Sequence, residues 1–152
     1  MDTKQLPEIP VATGLNSGSK KGSDRPFTSL QTDQAPAALG PYVQALASDQ
    51  LVFLSGQLGL DPATGELAET VSDQANQALA NVDAILKSAG LRRENIIKTT
   101  LFLTAIDDFE AVNKVYADFF GDHRPARSCV AVAALPKSAR FEVECIAIRM
   151  AV

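Results

Sequence analysis

Apolar positions along this chain of 152 residues recur with two periods, and the changes between them mark the elements. Phe27–Thr32, Tyr42–Ala47 and Leu51–Gln57 read as strands, with Ser48-Asp49-Gln50 as the turn between the last two. Asp61-Pro62-Ala63-Thr64-Gly65 has turn chemistry at both ends. The period then lengthens. Val71, Ala75, Ala78, Leu79, Val82, Ile85, Leu86 and Ala89 fall at steps of three and four, one apolar stripe of a helix. Thr70 is placed to cap it, with Asp73 three residues on, and Gly90 to stop it. Ile96–Thr104 is rich in β-formers and reads as a strand. Asp107 and Glu110 have the spacing of a capping box ahead of a second amphipathic helix, built on Phe109, Val112, Tyr116, Phe119 and Phe120 and closed by Gly121. Ser128–Ala134 and Phe141–Met150 are the last strands. The order is β-β-β-α-β-α-β-β, an α+β chain with no internal repeat.

The strand faces carry a further constraint. Phe141, Val143, Cys145 and Ala147 alternate with Glu142, Glu144, Ile146 and Ile148, so the two sets point to opposite sides of a sheet. Over Cys129–Ala134 both sides are apolar. Two helices cover only one face of a sheet. The other face exposes Val130, Val132, Ile146 and Ile148, a patch that soluble monomers avoid. With no third helix, the pattern points to another copy of the chain as the cover.

Residues 1–26 break the pattern. Pro7, Pro10, Gly14, Gly18, Gly22 and Pro26 punctuate them, and Asn16–Asp24 holds no apolar residue, so they read as a tail or leader ahead of one domain over residues 27–152. Composition narrows the picture further. The chain is 46% hydrophobic and 21% charged, an ordinary globular profile. No apolar run approaches the ~20 residues of a membrane span. Fourteen basic against eighteen acidic residues leave a net charge of −4, without the basic footprint of nucleic-acid binding. Cys129, Cys145 and His123 are three residues, too few for the four ligands of a structural zinc site. No secretory signal pattern opens the chain, so both thiols are expected to be reduced and the protein cytoplasmic.

Several residues are placed for chemistry. Arg127 lies where a loop enters a strand, and its planar fork suits a carboxylate; pairing with Asp122 is the structural alternative. Glu142 and Glu144 share one side of an otherwise apolar strand. Partial burial there raises a carboxyl toward the range of a general base, whereas an inter-subunit salt bridge is the other reading. The residues alone do not choose between the two acids. Tyr42 follows Gly40-Pro41, and Ser55-Gly56-Gln57 ends a strand where backbone amides are free. Asn113 is either a buried polar anchor or a helix-surface residue. Cys129 lacks a placed base, since His123 lies six residues off across Pro125, so a small buried cysteine is the plainer reading. His123 itself reads as a solvated loop residue. No phosphate loop, Rossmann fingerprint or nucleophile elbow is present.

Together these segments resemble the reactive-intermediate deaminases, the RidA/YjgF family. The resemblance rests on Ala35-Pro36-Ala37-Ala38-Leu39-Gly40-Pro41-Tyr42-Val43-Gln44-Ala45, Ser55-Gly56-Gln57, Asp61-Pro62-Ala63-Thr64-Gly65-Glu66 and Val112-Asn113-Lys114-Val115-Tyr116. It continues through Pro125-Ala126-Arg127-Ser128-Cys129-Val130, Leu135-Pro136-Lys137 and Phe141-Glu142-Val143-Glu144. It spans about Ser29 to Met150. The resemblance implies a chorismate-mutase-like mixed sheet with two helices on one face, and a homotrimer with active sites between subunits. The implied reaction is hydrolysis of 2-imino acids and their enamine tautomers, such as 2-iminobutanoate and 2-iminopropanoate, to 2-oxo acids and ammonia, without a cofactor or metal. Such imines are products of pyridoxal-phosphate dehydratases. By the same resemblance Arg127 holds the substrate carboxylate and Glu142 activates water, while Tyr42, Ser55, Gly56, Asn113 and Cys129 complete the site. Leu58-Gly59 departs from the Ile-Pro common in the family, a change that bears on cleft width. It also implies a strand between Cys129 and Cys145, and so no disulfide. Two alternatives belong to other classes: a trimer that binds small carboxylates without turnover, and an RNA-directed translation inhibitor. The Arg127 and Glu142 pair argues against the first and the acidic charge against the second.

Overall fold

The structure, a computed structural model, describes residues 26–149. The expected tail thus lies, apart from Pro26, outside the described residues, as does Met150 of the last predicted strand. Strands β1 (Thr28–Leu30), β2 (Ala45–Ala47) and β3 (Leu51–Leu58) lead into helix α1 (Val71–Ser88). Strand β4 (Ile96–Leu103), helix α2 (Phe109–Phe120) and strands β5 (Ala126–Ala131) and β6 (Phe141–Ile148) follow. The element order is the one expected. The six strands form one sheet in the order β1-β2-β3-β6-β4-β5. All pairings are antiparallel except β4 with β5, so the sheet is mixed.

Local chemistry explains most boundaries. Thr70 caps α1 as predicted: its Oγ1 accepts the Asp73 amide at 3.1 Å and donates to the Asp73 carboxylate at 2.7 Å. The apolar stripe of α1 packs on β3 and β6, and α2 lies beside it. Val52 and Leu54, Leu101 and Leu103, and Phe141, Val143, Cys145 and Ala147 meet Ala78, Leu79, Val82, Ile85 and Leu86 in one core. All are buried, and each large aliphatic chain there contributes roughly 1.5–3 kcal/mol. The alternation read for the last strand is therefore real.

Three expectations are corrected. The capping box of Asp107 and Glu110 does not form. A single 3-10 turn at Ile106–Asp108 precedes α2, and the residue at its N-cap, Asp108, makes no side-chain cap bond. A stronger partner takes its carboxylate: Arg140 holds it through two hydrogen bonds of 2.7 and 3.2 Å. Second, the strand read at Ser128–Ala134 begins and ends earlier, as β5 over Ala126–Ala131, and its apolar sides are not buried within the chain. It is the sheet edge, and its residues are largely exposed in a single chain. Third, His123 is not simply solvated. Its Nε2 lies 2.6 Å from the Ile96 carbonyl and donates to it, tying the loop after α2 to the start of β4.

The open face of the sheet carries no helix. Phe53 and Val130 stand 43% and 44% exposed on it. Cys129 and Cys145 are free, because β4 runs between their strands: Leu101 pairs with Cys129, and Thr99 with Cys145. No described helix is long and apolar enough to cross a membrane. Leu79 is 1% exposed at the centre of the core. Leu79→Ala is expected to cost about 2–5 kcal/mol in urea denaturation, by lost transfer energy plus the cavity left behind.

Candidate active site

One polar cluster gathers at the end of β3. The β3–β6 register slips between Leu54 and Gln57, a bulge, and resumes with Gln57 opposite Val143 and Leu58 opposite Glu142. The slip brings Gly56 under the Glu142 side chain. A Cβ on Gly56 would overlap Oε1 of Glu142, so any larger residue there displaces the carboxyl from this position. On its other side Glu142 pairs with Phe102 of β4. The carboxyl is thus half-buried between Leu58 and Phe102. Burial raises its pKa above the ordinary carboxylate value, and the neighbouring Glu144 adds to the rise. None of the ion pairs among the described residues uses Glu142. Glu144 is exposed and opposite Thr100, away from Gly56, so geometry separates the two acids that the sequence left equal.

Ser55 stands on the same bulge. Its Oγ donates to the Val43 carbonyl at 2.6 Å and its amide to the Gln44 carbonyl at 3.0 Å. Those bonds hold the segment that carries Tyr42, which is 52% exposed. The Tyr42 hydroxyl accepts the Leu39 amide at 3.3 Å. A cavity of 260 Å³ opens beside these residues, and Tyr42 and Gly56 are part of its wall.

The second cluster forms between β5 and α2. Arg127 Nη1 donates to Asn113 Oδ1 at 2.7 Å. Its guanidinium carbon lies 4.8 Å from the Tyr116 ring centre and 5.5 Å from that of Phe109. Tyr116 is fixed in turn by a 2.8 Å hydrogen bond with Thr99. The expected alternative, a pair with Asp122, is not made; no described acid forms an ion pair with Arg127. The fork is left with free donors facing a cleft of 550 Å³. Cys129 follows two residues later, half-buried. Burial pushes its thiol up, with Arg127 opposing, so it stays protonated near neutral pH.

Phe109 and Tyr116 were read from the pattern as members of an apolar stripe only. Their spacing around Asn113, four and three residues, is the signal that places all three on one helix face. The two clusters do not meet within one chain. Arg127 pairs with the buried Thr99 and faces α2, whereas Glu142 lies on the open face. Between them lie two strand spacings, about 10 Å, and three residues of rise, about 10 Å more.

A mixed six-stranded sheet backed by two helices, with a half-buried acid on one face and an unpaired arginine on the other, defines a small α+β domain with two incomplete polar sites. The chain belongs to the Endoribonuclease L-PSP family, whose model matches residues 32–149. It is 50% identical over 123 residues to a 2-iminobutanoate/2-iminopropanoate deaminase of Salmonella typhimurium, covering 79% of this chain and 96% of that one. A protein of that name from Capra hircus is 49% identical over 121 residues, covering 79% and 88%. The crystal structure of E. coli TdcF with bound serine superposes with a TM-score of 0.79 at 47% identity, covering 81% and 99%.

The Glu142 environment has a measurable consequence. Its folded pKa lies above the unfolded one, so its effect on stability is most favourable below the ordinary carboxylate range and is lost as pH rises through the folded value. Glu142→Gln is therefore expected to raise Tm at pH 7 relative to the parent, with the gain shrinking toward pH 4. A calorimetric pH series checks the sign.

Proposed function

We propose that this chain is a cofactor-independent deaminase that hydrolyses 2-imino acids and their enamine tautomers to 2-oxo acids and ammonia. The names of relatives about half identical over nearly their whole length support the reaction. The observation that carries it in this chain is Glu142: a half-buried carboxyl resting on Gly56, in no ion pair among the described residues.

In this reading Arg127 grips the substrate carboxylate with its free fork, oriented by Asn113 and the two rings. A protonated imine is already an electrophile at C2, so positioning and one base suffice. Glu142 takes a proton from water as its oxygen bonds to C2. It returns that proton to nitrogen and then takes the proton of the new C2 hydroxyl as the C2–N bond breaks, so that ammonia leaves and a 2-oxo acid remains. The Ser55-Gly56 backbone and Tyr42 line the approach, and the protonated Cys129 forms a wall.

Arg127 and Glu142 act on one substrate only if they come from different copies. We assign the assembly as a homotrimer, with each site between one chain's Arg127, Asn113 and Cys129 and the next chain's Tyr42, Ser55, Gly56 and Glu142. The bare open face with Phe53 and Val130 and the exposed edge strand β5 support this. The residues from 27 onward form the catalytic domain, with 1–26 as a tail or leader. The two unpaired cysteines fit a reducing cytoplasm.

The test follows oxo-acid formation above the spontaneous rate while a threonine dehydratase supplies imine, with light scattering on the same samples. Arg127→Ala is expected to keep the trimer mass and to lower kcat/KM at least ten- to hundredfold. Arg127→Lys should recover little, because a point ammonium lacks the fork. Glu142→Gln should lower kcat with little change in KM. A stable monomer, or near-normal rates in both Arg127→Ala and Glu142→Gln, overturns the assignment.

A further inference from the structure

Three of the ion pairs among the described residues are local: each joins residues two or four apart in sequence, as in Lys87 with Asp83. The pair of Asp108 and Arg140 joins residues 32 apart. It is also built differently. The Asp108 side chain is only 14% exposed, and Arg140 grips it as a two-pronged fork, through Nε at 3.2 Å and Nη2 at 2.7 Å.

The neighbours of each partner belong to the two half-sites. Asp108 is the N-cap of α2, so Phe109 follows it directly, and the Phe109 ring is one of the two against the Arg127 guanidinium. Arg140 immediately precedes β6 and lies two residues before Glu142. The fork thus ties the helix behind Arg127 to the strand that carries the acid. Further bonds hold the β6 side. The Arg140 amide donates to Oε1 of Gln74 at 2.8 Å, and the Thr104 amide donates to the Arg140 carbonyl at 3.2 Å. Gln74 is 2% exposed, and its Nε2 donates to the Ala68 carbonyl at 2.9 Å.

The turn ahead of Arg140 works against these anchors. Lys137 and Ser138 have φ of 60° and 56°, the left-handed region that a Cβ disfavours. Such residues persist where the surroundings over-determine them. On one side the Ala139 amide donates to the Pro136 carbonyl at 3.1 Å, and Ala139 is buried. On the other side stands Arg140, clamped by Asp108 and Gln74. Lys137 is part of the wall of the cavity that Gly56 also lines, so a turn that relaxes disturbs the surroundings of Glu142.

We propose that Asp108 and Arg140 are positioning residues for the imine hydrolysis. Their fork holds the strained turn, and from one anchor it fixes both Phe109 against Arg127 and the strand entry that sets Glu142. Neither residue needs to touch the substrate. The assignment rests on the deaminase reading above.

The test uses full-length protein in the dehydratase-coupled assay, well below Tm, with trimer mass followed by light scattering. Arg140→Ala and Asp108→Ala are each expected to lower kcat about tenfold and to raise KM about threefold, because both half-sites loosen. The double variant should fall no more than about twofold below either single one, since either change alone opens the fork. Arg140→Lys, which keeps the charge but not the fork, should lie between Arg140→Ala and the parent. Ser138→Gly should leave the parent within about twofold, and should restore kcat of Arg140→Ala at least threefold, because glycine adopts positive φ without strain. Parent-like kinetics in both alanine variants overturn the positioning role and leave the deaminase reading standing. So do losses that multiply in the double variant. An unmoved KM in both overturns the shared anchor, and no recovery with Ser138→Gly overturns the role of the turn. Where the alanine variants fail to assemble, Asp108→Asn decides: a fall in kcat of threefold or more supports the assignment, and a parent-like rate overturns it. No hydrolysis by the parent above the spontaneous rate overturns both readings.

Discussion

Strand β4 runs between the strand that carries Arg127 and the strand that carries Glu142. From that one placement the rest follows. It keeps Cys129 and Cys145 apart, makes β5 an edge, and sets the arginine and the acid on opposite faces of one sheet. Each chain then holds two half-sites that cannot complete one another. The helices cover only the core face, so the open face and the β5 edge remain as surfaces on which a second copy can bring its complementary half. Fold, assembly and chemistry are in this way one geometric statement.

Both half-sites hold charge that the single chain does not neutralise. Glu142 is kept between Leu58 and Phe102, and Arg127 stacks on two rings with an amide rather than an acid as partner. A fold selected for stability alone pairs a half-buried carboxyl such as Glu142 or moves it into water. Elsewhere this chain does so: Arg140 forks onto Asp108, and Gln44, Gln74 and Asn81 are buried with their hydrogen bonds made. The contrast locates the function. Polar groups that serve the fold are satisfied inside the chain, and the two assigned to the substrate in the proposed reaction are left open and held by neighbours of fixed position.

The elements with strong periodicity were legible in the sequence. Helix α1 could be read from its stripe and Thr70, and β6 from strict alternation, because both signals are local. Arg127 and Glu142 could be nominated from residue type and from apolar surroundings. What the chain could not disclose locally was long-range register. The bulge in β3 that seats Gly56 beneath Glu142 depends on a partner strand more than eighty residues on. The start of α2 is of the same kind: it falls one residue beyond the expected cap Asp107, at Asp108, whose carboxylate is claimed by Arg140, distant in sequence. So is His123, whose partner is the Ile96 carbonyl. Tyr116 belongs to the core and Phe109 packs against it, as their stripe suggested; only the arrival of Arg127 from β5 gives their rings a second role.

The central claim is that one site draws Arg127 from one chain and Glu142 from another. Co-assembly of two inactive variants tests it most directly. Arg127→Ala and Glu142→Gln chains, unfolded together in equal amounts and refolded, form mixed trimers. Each mixed trimer has one site in three that combines an intact Arg127 from one parent with an intact Glu142 from the other, which is about a quarter of all sites once unmixed trimers are included. The account predicts that imine hydrolysis returns to about a quarter of the wild-type rate, while each variant refolded alone stays inactive. Mixed trimers of verified composition that remain as inactive as their parents would show that both residues must lie in the same chain, and would contradict it.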